Sequence, residues 1–167
     1  LPAALETLFD TLTADGVRVR RIAVDYASHT TQVEAIQQEL LDQLAPIRPR
    51  TAQVPFYSTV SSEWLDTATM DGGYWYRNLR HTVNFGPAIA TLLDEGHRAF
   101  IECSPHPVLR VGIAEVVEAA GVRAVVTGTL RRGEDGLNRV FTSFAEAFVR
   151  GVPVDWSGLY EGGRRIG

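Results

Sequence analysis

Lysine is missing altogether: all 16 basic residues are arginine, set against 20 acidic ones for a formal net charge of −4. With abundant Ala, Val and Gly, this pattern reflects the coding bias of a GC-rich bacterial genome and implies no special chemistry. The arginines form no stripe, so the footprint needed to bind a phosphate backbone is absent and nucleic acid is excluded as a partner. Cysteine is reduced to Cys103, which leaves no internal disulfide and no Cys/His spacing for zinc, so no metal and a reducing, cytoplasmic setting are expected. No apolar run approaches the roughly 20 residues that span a membrane, and no charged leader precedes one, so no membrane partner is expected. The chain opens at Leu1 without methionine and runs straight into helical periodicity, which reads as a cut inside a larger polypeptide.

What is present suits one ordinary globular core, with 45% hydrophobic and 22% charged residues. Leu5, Leu8, Phe9 and Leu12 recur at helical spacing, Asp15-Gly16 stops that helix, and residues 17–24 follow as a strand. Val33, Ile36, Leu40 and Leu44 mark a second amphipathic helix closed by Pro46 and Pro49. Residues 54–60 predict a short strand. Residues 64–84 predict a loop with short helical pieces, punctuated by a turn at Asp71-Gly72-Gly73. Further helices are predicted around Phe85–Leu93 and residues 108–119, and strands over 99–104 and 124–130. A last helix should put Leu137, Val140, Phe141, Phe144 and Phe148 on one buried face. Strands alternating with helices predict an α/β fold with a parallel sheet.

The segment with chemical promise is Val24-Asp25-Tyr26-Ala27-Ser28-His29, where a strand ends and the chain turns toward a helix, a place that presents side chains to a cleft. His29 there can act as a general base, or it can simply hydrogen-bond within the turn beside Ser28 and Thr30. His106, between Pro105 and Pro107, reads as structural. His81 and His97 read as surface residues, and Cys103 reads as a small buried hydrophobe. The arginines at 131, 132, 164 and 165 read as solvated charge, with attraction of an acidic partner as the alternative.

Tyr26-Ala27-Ser28-His29 matches the signature of polyketide synthase acyltransferases that select methylmalonyl units. The resemblance continues through Val54-Pro55-Phe56-Tyr57-Ser58-Thr59, Gly73-Tyr74-Trp75-Tyr76-Arg77-Asn78-Leu79-Arg80 and Phe100-Ile101-Glu102-Cys103-Ser104-Pro105-His106-Pro107-Val108-Leu109. It extends into Gly128-Thr129-Leu130-Arg131-Arg132 and Gly151-Val152-Pro153-Val154-Asp155-Trp156. The chain thus resembles the C-terminal half of the acyltransferase domain of a modular type I polyketide synthase. The resemblance implies an α/β-hydrolase-like large subdomain with an inserted ferredoxin-like small one. Residues 1–24 would then end the small subdomain, 25–130 would form the C-terminal part of the large one, and 131–167 would be the linker that follows it.

The same resemblance implies acyl transfer from an extender-unit coenzyme A to the phosphopantetheine thiol of an acyl carrier protein through an acyl-serine. No cofactor is implied beyond these two substrates. His29 would be the general base, Tyr26 and Ser28 would shape the pocket around the extender's α-substituent, and the backbone carbonyl of Asn84 would orient His29. The Gly-x-Ser-x-Gly elbow is absent from the sequence, so the nucleophile is expected from the N-terminal half of the domain, in the same polypeptide or a second chain. The ketosynthase domain and the carrier protein are the other implied partners. Two alternatives stand beside this reading: a non-catalytic docking or scaffold fragment of such a synthase, and an independent hydrolase. Free-standing malonyl transferases share the implied fold, but the Trp156 segment favours a modular synthase.

Overall fold

The computed structural model describes residues 2–21, 24 and 26–159. Helix α1 (Pro2–Ala14) ends where Gly16 takes φ 75° and lets the Val17 N–H reach back to the Leu12 carbonyl at 2.9 Å, a left-handed termination that a β-carbon resists. The strand expected over residues 17–24 does not form in its described part. Residues 17–21 run as irregular chain, with Arg21 ion-paired to Glu6 and lying over the Phe9 ring, and residues 22, 23 and 25 lie outside the described set.

After His29 a 3-10 turn (Thr31–Ile36), capped by the Thr30 hydroxyl, leads into α2 (Gln37–Leu44). The first half of the expected second helix is therefore tighter than an α-helix. Strand β1 (Phe56–Ser58) pairs antiparallel with β2 (Glu63–Leu65), which sets Tyr57 opposite Trp64 as an edge-to-face pair with centroids 5.3 Å apart. The Asp71-Gly72-Gly73 turn proves to be a helix start. The Asp71 carboxylate accepts the Tyr74 N–H at 2.9 Å and caps α3 (Gly72–Arg80), so both glycines are helical.

Helix α4 (Phe85–Asp94) leads to β3 (Ala99–Glu102), α5 (Arg110–Ala119) and β4 (Val125–Gly128). β3 and β4 are parallel, with Phe100 beside Val126 and Ile101 beside Thr127, the βαβ unit that the alternation predicts. Ile89 and Leu93 of α4, Phe100 of β3, and Ile113 and Val117 of α5 form the core on one face of this pair. Helix α6 (Gly136–Phe148) covers β4 from the other face, but not with the predicted stripe. Leu137 and Phe148 are exposed, while Arg139, Ser143 and Ala147 are buried. The reason is polar. Arg139 reaches Ser143 at 2.9 Å and Glu146 at 2.8 Å, and the Ser143 hydroxyl donates to the Thr129 carbonyl at 3.1 Å. Among the described residues no helix is long and apolar enough to cross a membrane.

Candidate active site

Tyr26, Ser28 and His29 lie together in the turn that leaves residue 24 and enters the 3-10 turn. Tyr26 is 68% exposed, and Ser28 is half-buried. His29 adopts φ 60°, in the left-handed region, and is held there by two hydrogen bonds to one helix end. Its N–H donates to the Leu79 carbonyl at 2.7 Å, and its Nδ1 lies 2.7 Å from the His81 carbonyl. A carbonyl can only accept, so Nδ1 carries the hydrogen, and in the neutral ring Nε2 keeps the lone pair.

The carbonyl that meets the His29 ring is therefore that of His81 and not that of Asn84. α3 stops at Arg80, and His81 swings to an extended conformation (φ −91°, ψ 164°), which turns its carbonyl out of the helix direction. Asn84 is already the N-cap of α4. Its carbonyl accepts the Ala88 N–H at 3.0 Å, and its own N–H donates to Thr59 at 2.9 Å.

The elements behind this contact are fixed from several sides. Ser58, fully buried, shares a 3.0 Å hydrogen bond with the Tyr74 hydroxyl and so joins β1 to α3. At the other end of α3, Nε and Nη2 of Arg80 approach Oε1 of Glu34, on the 3-10 turn, at 2.8 and 2.6 Å. Neither pair was visible as a signal in the sequence. Periodicity identifies faces of helices, whereas these contacts join segments 16 and 46 residues apart.

A second ordered turn follows β3. Glu102, 8% exposed, accepts from the Ser104 hydroxyl and from the N–H groups of Val108 and Leu109, each at 2.9 Å. Burial pushes its carboxyl pKa up, but the Val108 and Leu109 N–H groups and the Ser104 hydroxyl reverse this and hold it below the ordinary glutamate value. His106 accepts the Arg132 N–H at Nδ1, 3.3 Å away, in keeping with the structural role expected for it. Cys103, expected to be buried, is exposed, because it lies past the end of β3 beyond the packed face. Among the described residues no serine hydroxyl is hydrogen-bonded to His29, and Ser104 is committed to a carboxylate. A groove of about 1000 Å³ lies at the amino ends of β3 and β4 between Arg98, Arg123 and Arg150, and His29 does not line it.

Residues 2–154 match the family model for the acyl transferase domain. The chain is 54% identical over 164 residues to polyketide synthase GfsB of Streptomyces halstedii, which covers 98% of this chain and 3% of that protein. It is 49% identical over 159 residues to the pikromycin polyketide synthase component PikAII of Streptomyces venezuelae, covering 95% of this chain and 4% of that one. The acyltransferase domain from module 8 of the salinomycin polyketide synthase superposes with a TM-score of 0.90 at 56% identity, over 93% of this chain and 37% of its own. A loading acyltransferase from the avermectin modular polyketide synthase gives a TM-score of 0.81 at 42% identity, over 89% and 45%. The chain thus spans a few per cent of these synthases and less than half of each acyltransferase structure.

Proposed function

The chain belongs to the acyl transferase domain family, in the form found in modular polyketide synthases, and on that premise we propose that it supplies the general base for loading an extender unit onto a carrier protein. The observation that carries this reading is the 2.7 Å contact from His29 Nδ1 to the His81 carbonyl, which leaves Nε2 as the basic nitrogen. The serine nucleophile comes from the remainder of the domain, outside these 167 residues.

In the first half-reaction Nε2 takes the serine hydroxyl proton while the oxygen attacks the thioester carbonyl of the acyl-coenzyme A. The tetrahedral intermediate collapses, the C–S bond breaks, and the coenzyme A sulfur leaves with the proton from Nε2. In the second, Nε2 takes the proton of the phosphopantetheine thiol as the sulfur attacks the acyl-serine carbonyl, the C–O bond to serine breaks as that intermediate collapses, and the proton returns to the serine oxygen. General-base help of this kind contributes roughly 10²–10⁴-fold. Tyr26 and Ser28 line the extender's α-carbon and favour methylmalonyl over malonyl. In this arrangement residues 1–24 close the small subdomain, 25–130 belong to the large one, and 131–167 lead toward the ketosynthase.

The test is acyl loading of the complete domain from methylmalonyl- and malonyl-coenzyme A, followed by intact mass. His29→Ala should slow loading by roughly 10²–10⁴-fold. Tyr26→Ala should narrow the preference for methylmalonyl by about 10-fold, since one methyl in an apolar pocket is worth about 1–3 kcal/mol. Undiminished loading in the His29→Ala protein would end the proposal. A domain that binds its neighbours yet accepts no acyl group would instead assign the fold a scaffold role.

A further inference from the structure

We propose that Arg80 and Glu34 are positioning residues, an ion pair that holds His29 against its orienting carbonyl; this rests on His29 being the base. His29 is solvent-exposed, and both of its anchors, the carbonyls of Leu79 and His81, belong to the last turn of α3 and the residue after it. The histidine's own segment continues into the 3-10 turn at Thr31–Ile36. If that turn slid along α3, both hydrogen bonds would lengthen together.

Arg80 stands between the two acceptor residues, and Glu34 stands five residues after His29. Two guanidinium nitrogens meet one carboxylate oxygen at 2.8 and 2.6 Å, which closes a ring of contacts around the histidine. The Arg80 side chain is 21% exposed and packed in place, while Glu34 is 53% exposed. A pair this open to water adds little to folding stability. Its consequence is geometric: it fixes the distance between two segments whose separation sets where Nε2 points, and misplacement of a reacting group by about 1 Å can cost 10²-fold in rate.

The experiment uses the complete acyltransferase domain with Arg80→Gln, Glu34→Gln, and the exchange of both charges, Arg80→Glu with Glu34→Arg, alongside His29→Ala. Loading kinetics, the urea midpoint and the ¹⁵N spectrum of the His29 imidazole are recorded for each. Each glutamine variant should lower kcat by about 10-fold with KM unchanged, the signature of a lost transition-state interaction. The His29 ring should pass from the Nδ1–H tautomer to a mixture, the urea midpoint should stay in place, and the charge exchange should restore part of kcat. Unchanged kcat and tautomer in both glutamine variants would overturn the proposal while leaving His29 as the base. If His29→Ala still loads, the functional reading fails, and the tautomer alone decides whether the pair positions the ring. Where a glutamine variant shifts the urea midpoint, failure of the charge exchange to recover kcat counts against the pair.

Discussion

A side chain with a β-carbon at φ 60° carries a backbone cost of about 1–3 kcal/mol, and at His29 this is offset by two hydrogen bonds to main-chain carbonyls. That arrangement explains what could and could not be read in advance. His29 was legible because its motif is written in side chains. The resemblance implies the carbonyl of Asn84, three residues past the one His29 meets, because every residue has a carbonyl and only the end of α3 decides which one turns outward. Glu102 offered a fainter signal, a carboxylate inside an apolar strand segment ahead of Ser104-Pro105, a position that requires hydrogen-bond donors nearby. Close packing at the same turn yields a prediction. A β-carbon on Gly128 would meet Pro107 Cβ at 2.9 Å, so Gly128→Ala must displace the turn or the strand. A loss of about 1–3 kcal/mol is expected in urea denaturation, and an unchanged midpoint would mean that the Pro107 turn is free to move.

Among the elements, α4, α5 and the strands β3 and β4 follow their apolar periodicity, whereas α3 and α6 do not. In α3 the Asp-Gly-Gly run has the composition of a turn, and its helical role depends on the Asp71 carboxylate capping the Tyr74 N–H. Asp71→Ala should therefore cost about 1 kcal/mol, read as a lower thermal midpoint, whereas Asp71→Ser should keep most of the stability. A midpoint unmoved by the alanine would show that the tertiary contacts of α3, Ser58 with Tyr74 and Glu34 with Arg80, hold the helix without its cap. In α6 the apolar residues point along one direction and the helix docks along another. The sheet face under α6 offers the Thr127 hydroxyl and the chain just after β4 the Thr129 carbonyl, and the residues that answer them are Glu146, held by Arg139, and Ser143. A helical wheel contains no information about what the opposing surface presents.

For the molecule as a whole, the α/β class and the parallel β3–β4 pair were legible because alternation of strand and helix is a long-range pattern repeated several times. The failure of residues 17–21 to form the expected strand was not, since a strand exists only beside a neighbour and no local property of Val17 or Arg18 supplies one. The pH response also belongs to this scale. Glu102 is held below its ordinary pKa by the donors that outweigh its burial, and Glu146 is lowered first by its hydrogen bond to Arg139, with burial opposing. A carboxyl whose folded pKa is depressed binds fewer protons folded than unfolded, so its contribution is complete above the unfolded value and is lost as pH falls through the folded one. Urea midpoints should therefore hold steady near neutrality and drop through the acidic carboxylate range, with a shallower drop in Glu102→Gln; parallel slopes would assign the acid sensitivity elsewhere. The wiring of His29 has one more consequence, for recombination between related synthases. The histidine at 29 and the helix end at 79–81 form one unit divided by half a hundred residues of chain, so a crossover placed between them pairs the motif of one parent with the cradle of another. Crossovers beyond α4 transplant both together, and a swap confined to the four residues of the motif leaves the recipient to supply the geometry.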